Sequence, residues 1–413
     1  MANLLVQLTA LAALAFHRQA FLAFWKSTPF ALKALVLLSL LLPLLYTIPL
    51  PQSVWSALPG RALMAQSFEL IGAEGWAPAS VEPVRTLLAV TALIVPLALL
   101  AIGWSASRDQ LVTIGWIAVA LGLANFLIGI PQVLSNSEVG VLYPENPMPG
   151  VLFGTFANRN STGLFLVGTL SLAALLPPLP QFRNRATVVR IAVCALLVLA
   201  ILLTRSRTAL VLAVLPLGAV GLQLLLTRQG RGKNGVWIAM VCGVLAIGAV
   251  GALTVASPGR LGAVIDRFDA AGTETDSRAY IWEDATYSVD RFWPLGSGTG
   301  TFDDVFQLDE SLENMTPLRA GRAHNDYLEV AIEAGIPGLT LIAAWLLLVA
   351  WLAWRARSSN GRWIAWAGGI ALLAIALQSI TDYPLRNLSM MGFAAYALLI
   401  LARFGSDPQG EKP

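Results

Sequence analysis

Long apolar segments recur along this chain, and they constrain its fold more than any other feature. About eleven of them are mostly apolar over the roughly 17–25 residues that a helix needs to cross a bilayer. Charged residues make up only 12% of the chain, against about 25% in a soluble domain. The sequence therefore predicts an all-α polytopic membrane protein with about 11–12 transmembrane helices. The predicted spans are residues 2–24, 31–49, 86–106, 111–134, 161–179, 188–204, 208–227, 235–255, 336–354, 362–380 and 389–404.

The cysteines and the N-terminal segment narrow the class further. Cys194 and Cys242 both lie inside apolar segments, so we expect neither a disulfide nor a metal-binding pair. The apolar start of the chain runs into His17 and Arg18 and lacks the cleavage pattern of a signal peptide. We interpret it as a first span, which either continues to residue 24 or leaves one N-terminal span missing.

The distribution of positive charge predicts the orientation of the spans. Five short connections hold thirteen Lys and Arg residues, whereas the short connections of the opposite side hold six. We assign the first set to the cytoplasm, so the hydrophilic segment 256–335, which carries fifteen of the chain's 24 acidic residues, faces the other side. The predicted cytoplasmic residues are Arg18, Lys26, Lys33, Arg108, Arg183, Arg185, Arg190, Arg228, Arg231, Lys233, Arg355, Arg357 and Arg362.

This pattern divides the chain into three predicted parts. An N-terminal transmembrane bundle covers residues 1–255 and includes an outer loop at 49–85. A large loop follows at 256–335, and residues 336–413 supply the C-terminal spans and a cytoplasmic tail. The large loop is predicted to be helical, because three of its stretches repeat apolar residues with helical spacing. These stretches are 277–289, 302–314 and 325–335, the last with Asn325 or Asp326 as its cap and Gly335 at its end.

His324, one of two histidines in the chain, lies just before the third of these helices. A lone histidine at a helix start is more often an ordinary exposed residue. The predicted position at the outer membrane surface, close to Arg319 and Arg322, favours a functional interpretation. A nearby cation favours the neutral imidazole that a general base requires, so His324 is a candidate base.

Four arginines on the predicted outer face are candidates for binding phosphate. The apolar run around "TRSRT" (204–208) is too long for one span, so this stretch must form a turn that carries Arg205 and Arg207. Arg278 opens a predicted helix, where the positive end of the helix dipole disfavours a cation, and Arg386 lies between the last two spans. Guanidinium groups bind phosphate bidentately. The alternative for the first two is simple snorkelling to the interface.

Other polar patterns are weaker candidates for a functional site. "GSGTG" at 296–300 offers backbone N–H groups but lacks the lysine of a P-loop, and we interpret it as a flexible loop. The acidic pairs at 283–284 and 303–304 are more typical of solvated helix faces than of a metal site. Asp382, at an outer span boundary, is the nearest candidate for a buried functional acid.

Several motifs, in their order along residues 45–400, resemble the bacterial O-antigen ligase and Wzy-like polymerase superfamily. They are "PLPQSVWSALPGR", "GTFANRNSTG", "SRTAL", "SRAYIWEDA" followed by "PLGSGTGTF", and "AHNDYLEVAIEAGIPGL". The resemblance implies a GT-C-like helical fold and an inner-membrane glycosyltransferase whose active site lies at the periplasmic face. It also implies transfer without a metal or other cofactor.

The resemblance further implies the partners. The donor would be a glycan on undecaprenyl pyrophosphate, and the acceptor lipid A–core or a growing polysaccharide. Membrane lipids are further expected partners, and nucleic acid is not. Ligation and polymerisation fit the motifs equally. Two other functions stay open: a polytopic anion transporter and a non-catalytic polysaccharide assembly protein.

By the same resemblance, His324 is the general base of an inverting transfer, and Arg207 and Arg278 bind the donor pyrophosphate. Further pyrophosphate-binding candidates are Arg205, Arg319, Arg322 and Arg386. The predicted supporting residues are Asn325, Tyr327, Glu329, Asn158 and Asn160.

Overall fold

The computed structural model describes five stretches of the chain, and they are mostly helical. A short antiparallel ladder pairs Pro49–Leu50 (β1) with Ala77–Pro78 (β2) inside the predicted outer loop. The predicted span 235–255, the large loop up to residue 276 and the tail from residue 407 lie outside the described residues. The described residues are 2–73, 75–143, 148–226, 277–315 and 319–406.

The described α-helices follow the predicted spans closely, with short 3-10 helices at Pro180–Arg185 and Pro384–Arg386. In chain order they are α1 (Ala2–Phe16), α2 (Arg18–Ser27), α3 (Phe30–Leu45), α4 (Gln52–Trp55), α5 (Ala62–Leu70), α6 (Pro83–Ala92), α7 (Ile94–Trp104), α8 (Arg108–Leu134), α9 (Arg159–Leu175), α10 (Ala186–Leu203), α11 (Arg207–Leu212), α12 (Val214–Leu226), α13 (Ser277–Phe292), α14 (Phe302–Phe306), α15 (Asp326–Ala356), α16 (Arg362–Gln378) and α17 (Leu388–Phe404).

Five described segments are long and apolar enough to cross a membrane, and the bent pair α1–α2 is a sixth if it counts as one span. Three shorter apolar helices, α3, α16 and α17, coincide with further predicted spans. The prediction of an all-α polytopic membrane protein is therefore confirmed. The five segments are Pro83–Trp104, Arg108–Leu134, Pro180–Leu203, Arg207–Leu224 and Asp326–Ala356.

The chain forms two compact units. Unit 1 takes its residues from 1–105, 275–351 and 379–395. Unit 2 takes its residues from 106–274, 352–378 and 396–413. The three-part division at residues 255 and 335 follows hydropathy along the chain and stays a prediction.

The predicted first span, residues 2–24, is broken. Helix α1 ends at Phe16, α2 begins at Arg18, and the two are bent by 79°. His17 between them has a non-helical backbone, with φ −99° and ψ 36°. The chain therefore bends where two polar residues interrupt the apolar run.

Helix α9 is the centre of unit 2. Its side chains from Ser161 to Leu175 are all buried, and α8, α10, α12 and α16 pack around it. The turn after α10 and the start of α11 pack closely on α9, because a Cβ on Gly163 would lie 3.3 Å from the Cβ of Ser206 and 2.5 Å from the Cβ of Ala209. The N-terminal end of α9 is thus in direct contact with the segment that carries Arg205.

The break predicted at residues 204–208 is confirmed. Helix α10 ends at Leu203, and Arg205 has a left-handed backbone with φ 50°, which is uncommon for a non-glycine residue. Ser206 then caps α11, because its Oγ accepts a hydrogen bond from the N–H of Ala209 (3.3 Å).

In unit 1 the helices of the large loop pack around a small apolar core. Helix α13 confirms the prediction at 277–289, whereas the helix predicted at 302–314 ends at Phe306 as α14. Trp282 Nε1 donates to the carbonyl of Ala323 (2.8 Å) and so fixes the chain just before His324. The core consists of Ala285, Phe292, Phe302, Val305, Phe306, Ala323 and Ile332.

The predicted helix 325–335 and the span predicted after it are confirmed as two helices that meet at Gly335 without an intervening loop, and they are numbered together as α15. This glycine has φ 50° and ψ −140°, and a Cβ there would collide with the carbonyl of Pro294. The glycine-rich loop 296–300 packs against the kink, since Gly298 N donates to the carbonyl of Glu333 (2.8 Å). The loop, which the sequence analysis interprets as flexible, is therefore packed against α15 and stabilises the kink.

Candidate active site

His324 ends the loop that leads into α15. Its backbone is left-handed (φ 51°), a conformation that is uncommon outside glycine but enriched in Asn, Asp and His. Asn325 caps α15, because its Oδ1 accepts hydrogen bonds from the N–H groups of Tyr327 (3.0 Å) and Leu328 (3.1 Å). The cap settles the two alternatives in favour of Asn325, and it fixes the helix start beside the imidazole.

Two residues between α16 and α17 pack against His324. Asp382 Oδ1 lies 3.7 Å from Nδ1 of His324, and the Tyr383 ring meets the imidazole edge-on at a centroid distance of 4.9 Å. Nδ1 has no hydrogen-bond partner among the described residues, since this separation is slightly too long. The Asp382 side chain is 3% exposed and that of His324 is 31% exposed. One imidazole nitrogen thus faces a buried carboxylate while part of the ring remains accessible.

Arg386 binds three carboxylates on one face of α15. It lies 2.8 Å from Glu333 Oε2, 3.3 Å from Glu329 Oε1 and 3.8 Å from Asp326 Oδ1. The three acids occupy positions i, i+3 and i+7 of the helix and are all buried. Burial by itself lowers the pKa of the Arg386 guanidinium, but the three carboxylates outweigh it and hold the pKa above the ordinary arginine value. These four residues are the buried cluster.

The buried cluster fixes the segment that carries Asp382 and Tyr383. Arg386 links the end of this segment to α15. Ser379 links its beginning, because its Oγ donates to Asp326 Oδ2 (2.9 Å) and its carbonyl accepts from the N–H of Asp326 (2.9 Å). Segment 379–386 is therefore held at both ends against the first turns of α15.

Glu329 also links the loop before His324 to α15. Its Oε1 accepts from Arg322 Nη1 (2.7 Å), and its Oε2 accepts from the N–H of Ala323 (3.2 Å). The Arg322 side chain is 37% exposed, so its guanidinium joins a buried carboxylate to the protein surface. The predicted supporting residue Glu329 thus helps to position the histidine loop.

Arg319 belongs to a second cluster. Arg319 Nε donates to Asp303 Oδ1 (2.6 Å), and Arg85 Nη2 donates to Asp303 Oδ2 (3.1 Å). Arg85 Nε lies 2.8 Å from Asp304 Oδ2 but is not aligned for a hydrogen bond. Burial raises the pKa of Asp304 by more than Arg85 lowers it. The side chains of these four residues, the exposed cluster, are all partly accessible.

The other acidic pair, at 283–284, is also engaged in the fold. Asp284 is buried and accepts hydrogen bonds from Ser311 N (3.1 Å), Ser311 Oγ (2.9 Å) and Asn314 Nδ2 (3.1 Å). Among the described residues, no group of three or more His, Cys, Asp or Glu side chains is arranged to hold a metal ion.

The remaining predicted arginines lie at helix starts. Arg278 is the second residue of α13 in unit 1 and is half-buried. Arg207 is the first residue of α11 in unit 2 and is exposed, and the half-buried Arg205 precedes it in the turn. The cations that the sequence selected are therefore divided between the two units.

Asn158 and Asn160 position the turn of unit 2. Asn158 Oδ1 accepts from the N–H of Asn160 (2.8 Å) and so caps α9. Asn160 Oδ1 accepts from Ser206 Oγ (2.9 Å), and its carbonyl accepts from Gln378 Nε2 (2.9 Å). These two predicted supporting residues thus link the start of α9 to the turn that carries Arg205.

Sequence reasoning did not select Glu333, Ser379 or Tyr383. The acidic face of α15 could have been found from its i, i+3, i+7 spacing, which puts Glu333 in line with Glu329. Ser379 carries no comparable local signal, because its partner Asp326 lies 53 residues away in the chain.

Part of the chain matches a known protein family. Residues 192–343 match the family described as O-antigen ligase (Wzy_C). The matched segment contains His324, Arg207 and Arg278, whereas Asp382 and Arg386 lie beyond it. No protein among the curated ones matches the chain. The family match confirms the predicted resemblance of this chain to the O-antigen ligase and Wzy-like superfamily.

Proposed function

We propose that this protein is a glycosyltransferase that moves a glycan from undecaprenyl pyrophosphate onto an acceptor sugar at the periplasmic face of the bacterial inner membrane. The observation that carries the proposal is the accessible imidazole of His324 beside the buried carboxylate of Asp382. The family match supports a role in polysaccharide assembly of this general kind.

The acceptor hydroxyl is a weak nucleophile and needs a base within hydrogen-bond reach. In our proposal, Nε2 of His324 removes the hydroxyl proton while the acceptor oxygen attacks the anomeric carbon. Asp382, 3.7 Å from Nδ1, stabilises the imidazolium that forms through its negative charge. The bond between the anomeric carbon and the pyrophosphate oxygen breaks, the pyrophosphate leaves with the lipid, and the single displacement inverts the anomeric centre.

The leaving pyrophosphate gains negative charge as its bond to the sugar breaks, so positive groups near it lower the barrier. We propose Arg207 and Arg278 for this role on the basis of the family motifs in which they occur. The buried cluster leads us to a different proposal for Arg386. Its guanidinium already binds three carboxylates, so we propose that it positions Asp382 and Tyr383 and leaves the donor to other arginines.

The test is reconstitution of the purified protein with a synthetic lipid-linked oligosaccharide and candidate acceptors, comparing lipid A–core with repeat-unit glycans. We expect transfer, and we expect His324→Ala to reduce turnover by about 10²–10⁴-fold with little change in donor affinity. Arg207→Ala and Arg278→Ala should weaken donor binding as well as turnover, because the pyrophosphate is charged before and during the reaction. The matched control is His17→Ala, which removes the other histidine at the kink between α1 and α2.

Three outcomes would contradict the proposal. Near-normal turnover of His324→Ala would exclude this residue as the base. Loss of donor binding in the same variant would make it a phosphate ligand. Anion flux in proteoliposomes, with no transfer to any acceptor, would favour the transporter.

A further inference from the structure

A cavity of about 270 Å³ lies in unit 2, between α8, the segment 178–186 and α10. The lining is almost entirely apolar. It includes Trp116 and Leu123 of α8, Leu179 and Phe182 of the connecting segment, and Val193 of α10. Cavities of this size and character usually bind apolar groups, and a few well-placed polar groups give them specificity.

The charged residue in the lining is Arg190. Its Nη2 donates to the carbonyl of Leu176 at the end of α9 (2.6 Å). Its Nε is buried and has no hydrogen-bond partner among the described residues. A buried charged donor that is left unpaired is costly, so this nitrogen needs an acceptor that the described chain does not supply.

Two more cations lie beside the cavity. Arg183 and Arg185 are exposed on the 3-10 helix that also carries the lining residue Phe182. The segment 148–226, which carries these three arginines, contains no Asp or Glu. The positive-inside pattern places all three on the cytoplasmic side. The site therefore combines an apolar cavity with a cationic entrance.

We propose that this cavity binds an anionic phospholipid of the inner leaflet. Its phosphate accepts a hydrogen bond from Arg190 Nε, Arg183 and Arg185 attract the headgroup, and one acyl chain occupies the cavity. Basic pockets between membrane helices on the cytoplasmic side are suited to such headgroups. Free phosphate would leave the apolar volume unfilled, and a zwitterionic lipid would bring its own cation to a site that is already positive.

The experiment uses the full-length protein, delipidated in a neutral detergent and titrated with phosphatidylglycerol, phosphatidylcholine or inorganic phosphate. Binding is followed by native mass spectrometry and by the thermal unfolding midpoint, which a ligand specific for the folded state raises. We expect phosphatidylglycerol to bind and to raise the midpoint, and the other two to have little effect. Loss of the charged hydrogen bond in Arg190→Gln should weaken binding by about 10–100-fold.

Glutamine is chosen because it removes the positive charge while it keeps a polar amide near the position of Arg190 Nε. Arg357→Gln is the control, since Arg357 is an exposed arginine of the predicted cytoplasmic side that stacks on Trp354 and does not line the cavity. If Arg190→Gln does not fold, photo-crosslinking of wild-type protein with an acyl-chain diazirine analogue decides. Crosslinks within 116–123 or 178–193 would support the site. Equal binding of phosphatidylcholine, unchanged binding by Arg190→Gln, or crosslinks confined to other regions would overturn it.

Discussion

The two arginine–carboxylate clusters of unit 1 consist of the same kinds of charged groups but differ in their exposure to solvent. In the buried cluster the Arg386 side chain is 17% exposed and its three acids are almost fully enclosed. In the exposed cluster the two arginines, Arg85 and Arg319, are 42% and 52% exposed. Water and salt screen the second cluster, whereas the first must satisfy its charges internally.

The difference in exposure means that the buried cluster has a structural role, whereas the exposed cluster is mainly surface charge. Exposed ion pairs contribute little to stability, so the exposed cluster can be altered at low cost. Removing one partner of a buried cluster leaves uncompensated charge inside the protein. The buried cluster also joins segment 379–386 to α15, so its integrity decides where Asp382 and Tyr383 lie relative to His324.

The largest effect is expected from Arg386→Met. Three buried carboxylates then lose their common counter-charge, and the free energy of unfolding should fall by about 3–5 kcal/mol. Thermal unfolding of wild type and variant in the same detergent measures the loss. Adding Glu329→Gln and Glu333→Gln to this variant should recover part of it, because fewer charges are left unpaired. An Arg386→Met protein as stable as wild type would remove the energetic distinction between the clusters.

An intermediate effect is expected from Arg322→Gln, because Arg322 pairs a partly exposed guanidinium with the buried Glu329. We expect a loss of about 1–2 kcal/mol, since one strong hydrogen bond is removed but Glu329 keeps Arg386 and the N–H of Ala323. Arg322→Lys should be less affected than Arg322→Gln. A loss of stability as large as that of Arg386→Met would show that solvent exposure does not determine how much these ion pairs contribute to the free energy of unfolding. The measurement is again the unfolding midpoint, which is independent of any role in donor binding.

The smallest effect is expected from Asp304→Asn. The folded protein retains a proton on this raised-pKa carboxyl where the unfolded chain has lost it, so the group stabilises the fold at acidic pH. That contribution disappears as the pH rises through the two pKa values. At neutral pH the variant should equal or exceed wild type by up to about 0.5 kcal/mol, and acidification should remove the gain. Asp303→Asn is the control, because the amide keeps only one acceptor oxygen and so loses the hydrogen bond from one of the two arginines. A marked loss of stability in Asp304→Asn at neutral pH would show that the exposed cluster, like the buried one, contributes substantially to stability.

The helices and the polar sites were not equally predictable from the sequence. Apolar runs of bilayer length gave the helix positions, because the need to satisfy backbone hydrogen bonds in lipid leaves few alternatives. His324 and Arg207 were selected as candidates from short local motifs. The partner of Arg386 could not be found in this way, because Glu333 lies 53 residues away and the pairing is decided by packing. The helix end at Gly335 was predictable, because glycine readily adopts the positive φ found there.

The kink at Gly335 fixes the rotation of the two parts of α15 about their axes. Before the kink the helix presents its acids to Arg386, and beyond it Trp345 Nε1 donates to Ser39 Oγ of α3 (3.0 Å). No loop separates these two sets of contacts, so one residue inserted into the helix on either side of Gly335 would rotate the contacts of that side by about 100° relative to the kink. Surface loops usually absorb insertions, but this junction has no spare length. A scan of single-residue insertions should therefore find a short stretch here that tolerates no insertion. In this stretch the register of the helix, more than the identity of any side chain, determines whether His324 lies beside its partners.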